Sequence, residues 1–150
     1  HFARWAITIG SEMSGGVRNI YIEDCKIDSC RNGIYFKSNL DRGGYFENLN
    51  MRRIEADVCL WAVVNFRTDY HGYRGGNYPT KFRHITIEDV TCNRVDSVAL
   101  MANGIPEAKL YDITLRNIKV KKAPKAMQME NVVDLKLENV EVNGEQVAQP

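Results

Sequence analysis

No apolar run in this chain of 150 residues approaches the length of about 20 that crosses a bilayer as a helix, and no signal-peptide pattern opens it. No membrane partner is therefore expected. An excess of charge of either sign is equally lacking: 20 Lys and Arg stand against 19 Asp and Glu, a formal net charge of +1. No global field draws such a chain to nucleic acid, so any attraction to an acidic ligand has to be local. The single RGG, at residues 74–76, is too isolated to count as an RNA-binding repeat. The 4 cysteines show no metal-ligand spacing, and neither a metal nor another cofactor is expected.

What is present is a globular composition, 44% hydrophobic and 26% charged, sufficient for one core but not for two comfortable domains. Residues 1–150 are expected to form one unit and a monomer. The chain begins at His1 rather than at methionine, as a mature or truncated product would.

A short pattern recurs as NIYIED (19–24), NLNMRR (48–53), HITIED (84–89), DITLRN (112–117) and DLKLEN (134–139). Anchored at Ile20, Leu49, Ile85, Ile113 and Leu135, its steps are 29, 36, 28 and 22 residues, within the range of a solenoid. Every anchor is followed by apolar residues at fixed offsets, as in Ile22, Cys25 and Ile27 after Ile20 or Ile87, Val90 and Cys92 after Ile85. On the other face Glu23, Arg52, Glu88, Arg116 and Glu138 alternate in sign, as expected if each sits beside its counterpart in the next coil.

A second strand class is interleaved: WAITIGS (5–11), GIYFKSN (33–39), VVNFRTD (63–69), SVALMAN (97–103) and AMQMENV (126–132). Each coil then has at least two short strands joined by turns, and about five coils fit the chain. A leucine-rich repeat has similar spacing but needs a helical or compact segment on its convex side, which is not found here. An all-β, right-handed parallel β-helix fits better. Cys25 and Cys92 fall on its buried ladders; Cys30 and Cys59 become neighbours in successive coils, which leaves a disulfide and stacked thiols both open.

Aligned, the second class gives the outward rows Thr8, Tyr35, Asn65, Ala99, Gln128 and Gly10, Lys37, Arg67, Met101, Glu130. The first three coils are polar and cationic, and the fourth is apolar and small. Tyr35, Lys37, Asn65 and Arg67 side by side suit an anionic, hydroxyl-rich ligand, because arginine grips carboxylates and tyrosine stacks on sugar rings. A solvated sheet face would carry the same residues. The loop FRTDYHGYRGGNYPTK (66–81) favours the ligand, since it leaves the strand end that carries Arg67, and long solenoid loops often bind. His71 and His84 read as surface histidines.

WAITIGSEMSGGVRNIYIED (5–24), NGIYFKSNLDRGG (32–44) and Asp69-Tyr70 resemble the C-terminal half of family 28 glycoside hydrolases, the polygalacturonase group. The resemblance implies a parallel β-helix with a pectin-binding cleft along one sheet and an inverting hydrolysis run by aspartates of an NTD motif and a DD motif. This chain holds neither motif, so by itself it should be inactive. The family's GHG histidine falls at Arg4 or Trp5, which leaves His1 as the nearest histidine for a catalytic role. Its RIK motif corresponds to Tyr35-Phe36-Lys37, keeping the lysine, and its DY tyrosine to Tyr70. Lys37, Tyr70, Tyr35 and Arg67 are the implied substrate contacts, a pectic or other uronic-acid polysaccharide the implied partner, and secretion or a periplasmic location the implied setting. A non-catalytic polysaccharide-binding or structural β-helix is the alternative. A polysaccharide lyase on the same fold would need clustered acidic calcium ligands, which the sequence does not show.

Overall fold

The computed structural model describes residues 2–150. The strands are β1 (Phe2–Ile9), β2 (Val17–Lys37), β3 (Tyr45–Arg67), β4 (Lys81–Val95), β5 (Val98–Asn103), β6 (Ile113–Val120), β7 (Lys125–Glu130), β8 (Leu135–Val142) and β9 (Glu145–Gln146). They pair in parallel in the order β1-β2-β3-β4-β6-β8, with β5 joining β3 to β7. The fold is the expected parallel β-helix. Among the described strands only β9 runs antiparallel, folding back on β8.

The anchors stack as the repeat predicts: Ile20 beside Leu49, Leu49 beside Ile85, Ile85 beside Ile113, and Ile113 beside Leu135. The alternating charges meet as well. Arg52 Nε lies 2.7 Å from Glu23, and Arg116 bridges Glu88 at 3.2 Å and Glu138 at 2.5 Å. Solvent screens these pairs, most of whose side chains are about half exposed, and they serve mainly to hold register.

Corners are made by residues that tolerate a left-handed backbone. Asn19, Asn48, His84 and Asp112 directly precede anchors, and Asp24, Arg53, Asp89, Asn117 and Asn139 follow four residues after them, all with φ between 50° and 58°. Asn and Asp enter this region at low cost. Their side chains also bond between coils: Asn48 donates to Asn19 at 2.8 Å, and Asn139 to Asn117 at 2.9 Å.

Two expectations need correction. The paired strands of the early coils are not separated by turns, because β2 and β3 run 21 and 23 residues through the corner, with a register shift between Cys30 and Asn32. The outward rows also slip by two residues in β5: Asn65 is beside Met101 rather than Ala99, and Arg67 beside Asn103 rather than Met101. A bend at Asp96–Ser97 precedes β5, whereas β3 continues unbroken, and a shift of two leaves the inside-outside alternation intact. The pattern was blind to it.

Inside, Phe36 and Phe66 stack with centroids 4.7 Å apart and planes 10° from parallel, flanked by Phe46 and Phe82. Cys30 and Cys59 are buried neighbours, with sulfurs 3.6 Å apart as free thiols. This packed interior fixes the β2 and β3 ends on which the outward residues stand.

Candidate functional site

β2 and β3 end together, with Tyr35 beside Asn65 and Lys37 beside Arg67. The segment after β2 then holds the loop after β3. The Ser38 carbonyl accepts the Tyr70 N–H at 2.9 Å, and the Leu40 carbonyl accepts that of Tyr78 at 2.8 Å. Asn39 Nδ2 donates to the Tyr70 and His71 carbonyls at 3.1 and 3.3 Å, while Asp41 accepts the N–H groups of Arg74 and Gly76 at 2.6 and 2.8 Å. Short polar side chains bonding to backbone are what such turns require. The result is a loop laid over the end of the preceding coil, bringing Tyr70 to Lys37.

Lys37 Nζ lies 3.5 Å from Tyr70 Oη and faces three aromatic rings, Trp5 at 4.0 Å, Tyr70 at 4.7 Å and Tyr35 at 5.9 Å from their centroids. Only 7% of the residue is exposed, and it pairs with no carboxylate among the described residues. Ring faces attract the ammonium, offsetting part of its desolvation, yet a buried cation with no anion is incompletely compensated.

Arg67 donates from Nε and Nη2 to both oxygens of Asp69, each at 2.8 Å. That fork holds the Asp69 carboxyl below the usual carboxylate range and raises Arg67 further. Burial pushes the Tyr35 hydroxyl up, so it stays a neutral donor at neutral pH. Tyr35, Arg67, Asp69 and Tyr70 line a cleft of about 270 Å³ together with Arg4, Trp5, Arg31, Trp61 and His71.

The four predicted contacts are thus brought together, though not equivalently: Tyr35, Arg67 and Tyr70 line the cleft, and Lys37 stands behind Trp5 and Tyr70. His1 lies outside the described residues. Arg4, Trp5, Arg31 and Trp61 were not among the predicted contacts. Trp5 pairs with Asn32 across the β1–β2 ladder, so tracing that register three residues back from Thr8 would have found it. Arg31 and Trp61 sit near the shifted corner, where no repeat register applies. Another groove, of about 360 Å³, follows Asp24, Arg53 and Asp89, but Arg53 is already committed to Asp24 and Glu23.

Comparison with known proteins bears on this arrangement. The family model Glycosyl hydrolases family 28 matches residues 5–142. The chain is 30% identical over 128 residues to a Vitis vinifera protein named "Probable polygalacturonase", covering 82% of this chain and 26% of that one. It is 28% identical over 131 residues to an Endo-polygalacturonase of Pectobacterium parmentieri, covering 84% and 30%. Among solved structures, a hyperthermoactive exopolygalacturonase from Thermotoga maritima matches with TM-score 0.69 at 24% identity, over 89% of this chain and 31% of that chain, a likeness of fold. The chain therefore spans about a quarter to a third of the length of these proteins.

Proposed function

The chain belongs to Glycosyl hydrolases family 28, and from that premise we propose that it is the C-terminal part of a pectin-degrading hydrolase whose cleft holds uronic-acid units. The observation that carries this reading is Lys37, an ammonium boxed by Trp5, Tyr35 and Tyr70 and lacking any described counter-ion. A uronate supplies both missing parts, a carboxylate for the cation and a ring face for the aromatics. Tyr70 positions Lys37 and contacts the sugar, Tyr35 donates a hydrogen bond, and Arg67 offers the N–H groups that Asp69 leaves free.

The chemistry of inversion needs one carboxyl to protonate the leaving oxygen and a second to activate water. No NTD and no adjacent Asp pair occurs in these residues, so their part is to bind and orient the polymer while carboxylates elsewhere in the whole protein cleave it. Pectin lies outside the cytoplasm, and the whole enzyme acts there, secreted or periplasmic.

Titration calorimetry with trigalacturonate tests the reading. Saturable binding that weakens with salt supports it; no heat of binding to any oligogalacturonate defeats it. A reducing-end assay on the 150-residue chain should show no release from polygalacturonate.

A further inference from the structure

Asp69 and Tyr70 line a second, smaller cavity besides the cleft, of about 210 Å³, which the uronate reading leaves unused. Its remaining walls come from three coils: Leu40 after β2, Tyr73 in the loop after β3, and Ile105 just beyond β5. The loop that Asn39 and Asp41 fasten down therefore builds this cavity as well as bringing Tyr70 to Lys37.

The polar side chains on these walls are already engaged within the protein. Asn39 donates to the Tyr70 and His71 carbonyls, and its Oδ1 accepts the Asp41 N–H at 2.9 Å. The Thr68 hydroxyl donates to the Ala108 carbonyl at 2.7 Å and accepts the Ile105 N–H at 3.0 Å. Tyr73 donates to the Gly76 carbonyl at 2.9 Å, Tyr70 faces Lys37, and Arg67 holds Asp69. What remains turned to the cavity is mostly carbon. A sugar ring would leave its hydroxyls unpaired there, whereas an apolar group loses nothing by entering.

Size and shape narrow the occupant. An apolar cavity of about 150 Å³ takes benzene, so this one has room for an aromatic ring and a short link. Tyr70 and Tyr73 offer that ring aromatic contacts, and Tyr73 is 54% exposed, so its wall stands at the surface where a group carried on a polymer can enter. We propose that the cavity holds an aromatic acyl group esterified to a hydroxyl of the sugar bound at Lys37 and Tyr70, so that the protein favours polymer decorated with aryl esters. The inference rests on the uronate reading for the place of the sugar and adds the decoration.

Calorimetry on the 150-residue chain compares trigalacturonate with its monobenzoyl esters, with circular dichroism confirming that each variant is folded. At least one ester should bind about tenfold or more tightly than the parent, the gain from removing a phenyl ring from water. Tyr73→Ala and Ile105→Ser should each remove most of that gain and leave trigalacturonate unchanged, since neither residue lines the uronate cleft. Methyl benzoate alone probes the cavity without a sugar, and a saturable shift of the Ile105 methyl resonances is expected. Esters that bind no better than trigalacturonate, or a gain that survives in both folded variants, overturn the aryl pocket and leave the Lys37 site standing. Failure of trigalacturonate to bind while methyl benzoate still shifts Ile105 defeats the uronate reading, and with it the placement of the ester.

Discussion

Lys37 Nζ stands 4.0 Å above the Trp5 ring, so the cation at the end of β2 is roofed by an indole from the preceding coil. Trp5 occupies one of the two positions to which the family resemblance assigns a histidine. Here the indole supplies a π-face that completes a box around the lysine with Tyr35 and Tyr70. Such a box favours a cation with a defined direction of approach for an anion.

Replacing the boxed charge separates binding from folding. Lys37→Met should lower trigalacturonate affinity about tenfold or more, while Tm stays level or rises, because a thioether of similar length avoids the desolvation cost of an unpaired ammonium. Calorimetry and a thermal melt on the same sample measure the two effects. A large drop in Tm would show that the lysine is structural instead.

Gly10 controls where that lysine sits. Its φ is +98°, and a methyl at its Cα would run into the Lys37 carbonyl oxygen. Gly10→Ala should therefore cost at least about 1 kcal/mol of stability and displace the end of β2. Denaturant melts should report the first effect and weakened trigalacturonate binding the second.

The acid limb of stability should carry the Arg67–Asp69 fork. Its hydrogen bond to Arg67 depresses the folded pKa of Asp69 below the unfolded value, so the contribution is complete above about pH 4 and is lost as pH falls through the folded value. With both side chains about one-third exposed, the contribution is at most about 1 kcal/mol. Asp69→Asn should lower stability at neutral pH by that much and flatten its fall between pH 4 and 2. Equal pH profiles for the two proteins would assign the acid limb to other carboxylates.

The thiols offer a test of the core. Cys30, Cys59 and Cys92 are buried and Cys25 is partly exposed. Contacts with Cys30 and Cys92, together with burial, push the Cys59 thiol up. A thiol reagent at neutral pH should label one cysteine in the native protein and all 4 after denaturation.

The ladder was legible because a parallel β-helix repeats its environment at each coil: Ile20, Leu49, Ile85, Ile113 and Leu135 face the same interior, and apolar spacing fixes their register. The rows of Tyr35 with Asn65 and Lys37 with Arg67 followed from the same logic. What pattern could not reach were departures from repetition. The two-residue slip at Met101 preserves alternation, the corner at Cys30–Asn32 obeys no register, and the reach of Tyr70 over Lys37 depends on a loop tied down by Asn39 and Asp41. Asn and Asp at corner positions were visible in the sequence, and their left-handed backbone was the unused signal.

A crystal structure of the protein with trigalacturonate tests the central claim most directly. The account predicts a carboxylate oxygen about 2.8 Å from Lys37 Nζ, with that sugar against Tyr70. A ligand bound elsewhere on the surface, with the box of Trp5, Tyr35 and Tyr70 still closed over an unpaired Lys37, would contradict it.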